Sequence, residues 1–437
     1  MSNSSTKVVI IGGGITGLSA AFELARAGNN VTLVEADDQL GGQGTFFRSG
    51  ARWVDRFYHC QMPTDDYLLK LIDDLGLADR MYWKPTHMGF IVDGVRYPFN
   101  TPMDVMQFKP LSFIQRLRFG AVSLLIRRLG KGLDLDNIRI EDWFSKLYSR
   151  PVWEKILRPL FCSKFGPYGG NLPALYIWQR LGRESNVAKR GYINGGLKSF
   201  IDAIESKIKS FGGTVLTKTP VRTINEVDNQ MMVELDDGQK IECDWVIATI
   251  PIPLLRETID GTGLNSMLRF PDIPYQGVVN AIFFLSRPLE NRYWTPVVNS
   301  GTEFDGVVEM TELVEKSQYN GLHAVYLMKY CSRDSELFHE NNSRISQRWS
   351  EQLIELYNDI NLKKEDILEA HVFKAPFIEP VYPLGYSKIK PDFRVGSSRL
   401  ILATTAQIYP SVTSCNSSVK LANEAVACLR ENDPSIQ

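Results

Sequence analysis

Residues 7–35 read KVVIIGGGITGLSAAFELARAGNNVTLVE, and they decide the fold. Lys7–Ile11 is a short β-branched run of the kind buried on both faces in a parallel sheet. Three glycines follow it. Ile15 to Ala27 then has helical composition and spacing, stopped by Gly28. Asn30 to Glu35 is a second buried strand. A strand, a tight turn, a helix and a strand in so short a span imply a parallel pair joined by a right-handed crossover.

Within this stretch Gly12, Gly14 and Gly17 have G-x-G-x-x-G spacing, and Glu35 closes the second strand. Each position has a physical reason. Gly12 permits the tight turn, Gly14 lets a pyrophosphate approach the backbone, and Gly17 lets helix and strand pack closely. Ile15 and Thr16 open the helix, whose free N–H groups and positive dipole end favour phosphate. Glu35, followed by Ala36, can accept hydrogen bonds from both hydroxyls of a ribose, and its charge disfavours a 2′-phosphate. The motif does not by itself choose between a nicotinamide and a flavin dinucleotide. A glycine-rich turn with no ligand is the plain alternative.

The chain has 437 residues, enough for two or three domains. Its 49 basic and 50 acidic side chains nearly cancel, which argues against a dedicated nucleic-acid binder. With 44% hydrophobic residues it can build a core, which argues against long disorder. Six cysteines without a CxxC point to a reducing compartment, with no zinc site and no disulfide framework. Neither a signal peptide nor a spanning apolar run is visible, so a cytoplasmic protein is expected.

Strand and helix texture returns after residue 191, in a helix from Leu197 to Phe211, a strand TVLTKTPV, then MMVEL and KIECDWVIATI around an Asp237-Gly238 turn. It returns again at LILAT, 400–404, before a last helix from about Cys415 to Leu429. Between these lie a mostly helical stretch, 102–185, and a run of alternating strands, 275–331. A hairpin with Asp93-Gly94 as its turn is expected over 88–99, and a helix over 63–80. The expected division is 1–75, 191–255 and 395–437 for a nucleotide domain, with 76–190 and 256–394 for a substrate domain.

Gly41-Gly42 follows Glu35 closely, and then comes GTFFRSGARWVDRFYHC. This resembles the second glycine motif of glutathione-reductase-type flavoproteins. More narrowly it resembles the flavin amine oxidase, protoporphyrinogen oxidase and phytoene desaturase superfamily. Most members carry Arg after the paired glycines; this chain has Gln43. Gln43 with the downstream Tyr58-His59 pair resembles a bacterial protoporphyrinogen-oxidase-like branch of FAD-dependent oxidoreductases. The likeness continues through 195–224, 243–251 and 400–426. It implies an α/β fold: a discontinuous Rossmann FAD domain with an interleaved α+β substrate domain carrying an antiparallel sheet. It implies FAD as cofactor, with Val221 near the adenine and Thr405, Cys415 and Asn416 near the flavin. At Thr404-Thr405 the family commonly has Gly-Asp, so the acidic charge is missing here.

No metal spacing and no nucleophile–base motif is present. Flavin chemistry does not need one, because the cofactor carries the hydride and the protein binds and orients. The candidates therefore come from the resemblance. Tyr58 and His59 should lie near the flavin ring, His59 as a base or as a plain backbone-bonded histidine. Arg180, in Trp178-x-Arg180, can fork an anionic group or make an interdomain ion pair. Tyr409 flanks the ring or only packs. Lys164, Lys374 and Tyr382 lie in stretches that resemble recurring family sequence. The implied activity is hydride removal from a C–N or C–C unit of a small organic molecule. The alternatives are a UDP-galactopyranose-mutase-like flavoenzyme with no net redox, and a non-catalytic flavin-binding scaffold.

Residues 109–131 (KPLSFIQRLRFGAVSLLIRRLGK) are basic and apolar without an acid. Such a helix can lie on an anionic membrane surface, here the inner face of the cell membrane. A substrate-domain helix with a solvated basic face is the alternative.

Overall fold

Five strands form one parallel sheet in the order Leu400–Leu402, Trp245–Ala248, Lys7–Ile11, Asn30–Val34, Thr214–Leu216. The computed structural model describes residues 6–184 and 189–436. The central strand is buried from Val8 to Ile11, as a run of Val and Ile with helices on both faces must be. On one side the Ile15–Arg26 helix packs against the last helix, Cys415–Asn432, and against Gly196–Ser210. Leu18, Leu24, Ile204, Val426 and Leu429 share one core there.

A second sheet has seven strands, in the order Ile367–Pro380, Tyr275–Leu285, His323–Cys331, Gly306–Glu309, Trp294–Val298, Gly89–Val92, Val95–Pro98. Every neighbouring pair is antiparallel except Trp294–Val298 with Gly89–Val92. One face is covered by the Asn342–Leu356 helix, through Ile345, Trp349 and Leu353. The other face receives the segment after the second glycine motif, through Val54, Phe57, Tyr58 and Cys60. That is how the seven-stranded sheet comes to abut the glycine loop.

All five parallel strands fall within 1–75, 191–255 and 395–437, and all seven strands of the large sheet within 76–190 and 256–394. One ladder straddles the expected boundary at 190/191: Met81–Pro85 pairs with Lys189–Ile193. Two expected strands also divide. TVLTKTPV gives the parallel strand to Leu216, and Val221 then begins an antiparallel three-stranded sheet. KIECDWVIATI breaks at Asp244, whose carboxylate accepts the Lys7 N–H at 2.8 Å and whose N–H binds the Lys7 carbonyl. That clamp turns the chain from one sheet into the other. The expected 63–80 helix is shorter, Asp66–Asp74, and Gly76 follows at φ +73°. The 88–99 hairpin turns at Asp93 and Gly94, φ +52° and +76°, as a two-residue turn of this hand requires.

Candidate active site

The nucleotide loop is built by close approach. Gly12 has φ +104°, and a Cβ there would lie 2.6 Å from Thr249 Oγ1. A Cβ at Gly17 would lie 1.9 Å from the Gly12 carbonyl oxygen. Gly42, at φ +57°, would set a Cβ 3.1 Å from the Cα of Gly14. The two glycine motifs thus meet backbone to backbone, and Gly41 N–H donates to the Gly13 carbonyl at 2.8 Å. Gly14 is the N-cap of the first helix and supplies no side-chain cap. The N–H groups of Ile15, Thr16 and Gly17 are left at an uncapped positive helix end. This is a cradle for phosphate.

Glu35 sits at the edge of that cradle. Its Oε2 accepts the Gly13 N–H at 2.5 Å and its Oε1 accepts the Asp37 N–H at 2.9 Å. A carboxylate has about four acceptor positions, so two bonds leave capacity for ribose hydroxyls. Ala36 is exposed beside it. The Thr219 N–H binds the Glu35 carbonyl at 2.9 Å, which brings the strand beginning at Val221 alongside. Thr249 is a residue the sequence reading passed over. Its hydroxyl donates to the carbonyls of Ile11 and Gly12 at 2.9 and 3.1 Å and seals the loop from the neighbouring strand. Its place directly after a buried strand was the available signal.

At the other end of the cleft, the 404–407 turn shows how the two threonines divide their work. Thr404 Oγ1 accepts the Ala406 N–H and caps the turn. Thr405 Oγ1 and the Tyr275 hydroxyl are buried neighbours, and the threonine hydroxyls act on the tyrosine. The glycine cradle and Glu35 fit FAD: Gly12, Gly14, Ile15, Thr16 and Gly17 would hold the pyrophosphate and Glu35 the ribose.

Three expected contacts look elsewhere. Gln43 Nε2 donates to the Phe377 carbonyl at 2.9 Å, tying the glycine loop to the large sheet. Asn416 Oδ1 accepts the Leu68 N–H at 3.0 Å. Cys415, first residue of the last helix, lines a small apolar cavity with Leu68, Ile72, Leu197 and Phe200. Each of these side chains thus has a partner or neighbours within the chain.

The catalytic candidates separate in the same way. Tyr58 and Tyr330 are hydrogen-bonded neighbours, and the charges of Arg180 and Glu379 both act on Tyr330. Lys164 Nζ lies 3.0 Å from Glu379 Oε2, and the Tyr176 hydroxyl donates to the other oxygen. So residues far apart in sequence form one polar set: Tyr58, Lys164, Tyr176, Arg180, Tyr330 and Glu379. Its walls are aromatic, with Phe57 and Phe373 packed in the same cluster as Tyr58 and Tyr330. Glu379 was legible as an acid set in an apolar, proline-flanked run. Tyr330 was not, because only the packing of the Tyr58 loop on the sheet face brings the two together. His59 is half-buried, and its Nδ1 donates to the Phe57 carbonyl at 2.8 Å. That bond fixes the tautomer and leaves the lone pair on Nε2. Burial lowers its pKa, so the ring is neutral at pH 7.

Of the two expectations for Tyr409, its surroundings match packing. It is 1% exposed and clusters with Tyr176, Tyr382 and Tyr386, and its hydroxyl binds Asp136. Tyr382 and Tyr386 donate to the carbonyls of Thr405 and Ala406, so this tyrosine cluster holds the threonine turn in place. Lys374 also leaves the site. It donates to the Glu340 carbonyl, on the sheet face opposite Phe373.

The profile of the family described as flavin containing amine oxidoreductase matches residues 15–414. The chain belongs to that family. It is an FAD-dependent oxidoreductase of the amine oxidase and desaturase type. Among curated relatives it is 23% identical over 435 residues to 15-cis-phytoene desaturase of Solanum lycopersicum, covering 89% of this chain and 73% of that protein. Among solved structures it is similar to an Exiguobacterium protein assigned to the protoporphyrinogen oxidases, with TM-score 0.76, 18% identity and coverage of 98% and 99%. It is as similar to reduced UDP-galactopyranose mutase, with TM-score 0.76, 18% identity and coverage of 97% and 94%. At these identities the structural likenesses establish the fold, which is the α/β FAD architecture expected from the sequence.

Proposed function

We propose that this flavoenzyme removes a hydride from a C–N or C–C unit of a small organic substrate lying against the Tyr58–Tyr330 wall. A bound FAD supplies the hydride acceptor. The carrying observation is the polar set on an aromatic wall: Tyr58, Tyr330 and Arg180 together with the paired Lys164 and Glu379. Aromatic walls bind and orient an apolar substrate body and exclude water. Tyr58, with Tyr330, offers a hydroxyl to a substrate heteroatom, and Arg180 offers charge to an anionic end. His59, neutral and fixed in one tautomer, holds a lone pair at Nε2 for a substrate proton.

The test is anaerobic mixing of the oxidised holoprotein with amines, polyenes, porphyrinogens and sugar nucleotides, following flavin absorbance. Bleaching by an amine or a hydrocarbon substrate is expected. Turnover of a sugar nucleotide by the reduced protein alone would instead favour the mutase alternative, which at present has only a shared fold behind it. Failure of the purified protein to take up FAD would leave the scaffold alternative without a flavin as well. Among the described residues, no helix is long and apolar enough to cross a membrane.

A further inference from the structure

The helix Phe113–Leu129 is capped at its start by a reciprocal Ser112–Gln115 pair and buries only Val122 and Ile126 deeply. Its other face carries apolar side chains into the open. Ile114 is 77% exposed, Leu124 82%, Leu117 49% and Leu125 44%. Residues 114, 117, 121, 124 and 125 follow helical spacing, so these apolar side chains form one stripe, with Arg128 at its end. Phe113, at 61%, and Met103 of the preceding short helix, at 62%, extend the exposed apolar surface. Single exposed leucines are ordinary, but a continuous stripe of this kind marks a contact surface.

The charges beside the stripe identify the occupant. From 105 to 133 the chain has no acidic residue. Arg116 and Arg118 bind backbone carbonyls of Met106, Leu111, Lys146 and Leu147 and keep their positive charge. Lys109, Arg127, Arg128 and Lys131 are exposed, and none is ion-paired to a described residue. Apolar side chains flanked by uncompensated cations match a bilayer with anionic headgroups: the stripe enters the acyl boundary and the cations remain among the phosphates.

We propose that the Phe113–Leu129 face is a peripheral docking surface for an anionic lipid bilayer. This goes beyond the redox reading and does not depend on it. It has a consequence for that site: Trp178 Nε1 donates to the Ile126 carbonyl at 3.0 Å, so the docked helix packs directly on the helix that carries Tyr176 and Arg180.

Sedimentation of the full chain with vesicles tests this, comparing pure phosphatidylcholine with a phosphatidylcholine–phosphatidylglycerol mixture. Binding to the anionic vesicles at least ten-fold above the neutral ones is expected, weakening with salt. Each basic residue near such a surface is worth roughly five-fold in partitioning, so R127E/R128E should reduce binding by twenty-fold or more. Ile114→Glu with Leu124→Glu should abolish it, with flavin content unchanged because both side chains already face solvent. No binding to either vesicle, or binding insensitive to both double variants, overturns the proposal. So does light scattering that shows a dimer at micromolar concentration which I114E/L124E dissolves. The stripe would then be covered by a second copy of the chain.

Discussion

The carboxylate of Glu35 accepts the backbone N–H of Gly13 at 2.5 Å, so the acid at the end of the second strand is braced by the loop that cradles the phosphates. Ribose recognition and phosphate recognition are therefore one construction. Glu35→Ala removes both the brace and the ribose acceptor. Hydrogen bonds to a charged group are worth about 1.5–3 kcal/mol. FAD affinity should fall roughly ten- to hundred-fold, as read by titrating apoprotein with FAD. Unchanged flavin occupancy would remove Glu35 from the site.

Gly17→Ala tests the geometry of the loop directly. A Cβ 1.9 Å from the Gly12 oxygen cannot be absorbed by a rotamer change, because the obstacle is backbone. Helix and strand must separate, at about 1–3 kcal/mol or more. A lower melting temperature and loss of yellow colour are expected. Gly14→Val should lose the colour by blocking approach of the pyrophosphate. A yellow protein of wild-type stability in either case would place the cofactor elsewhere.

Lys164 and Glu379 form a pair whose carboxylate is nearly inaccessible, with 3% side-chain exposure. Lys164→Met leaves that carboxylate with one side-chain donor among the described residues, Tyr176. Stranding one partner of a buried pair typically costs about 3–5 kcal/mol. Denaturant unfolding should show a loss of this order, and adding Glu379→Gln should recover much of it. Equal losses in the single and double variants would mean that the pair is not coupled.

Asp55 gives the fold a pH dependence. Burial pushes its pKa up to about 6, although Tyr192 Oη and the Leu197 N–H donate to it. Above its ordinary range the unfolded chain has lost this proton while the folded chain keeps it. Stability from this group therefore falls as pH rises from about 4 to about 6 and stays lower beyond. The size is on the order of 3 kcal/mol. Asp55→Asn should gain stability relative to the parent over that window, measured by unfolding at pH 4 and pH 7. A difference independent of pH would rule the linkage out.

His59 supplies a kinetic counterpart. If it takes the substrate proton, kcat/KM should rise with pH along a limb centred below 6.5, since burial lowers its pKa. His59→Gln should flatten that limb while retaining FAD. A limb that persists in the variant would assign the proton to another group.

The sequence by itself determined the nucleotide half of this protein. Lys7–Glu35 is a local unit in which glycine positions, strand hydrophobicity and the terminal acid are set by neighbours within one βαβ turn, so spacing alone carries the meaning. The tertiary structure decided the rest. Tyr58 meets Tyr330 only because the loop after the second glycine motif packs on the face of the large sheet, and Lys164 meets Glu379 only where the helical insertion covers that sheet. Tyr409, Asn416 and Gln43 had plausible roles by position. The fold gives each a partner no spacing could foretell: the Tyr409 hydroxyl binds Asp136, Asn416 Oδ1 the Leu68 N–H and Gln43 Nε2 the Phe377 carbonyl.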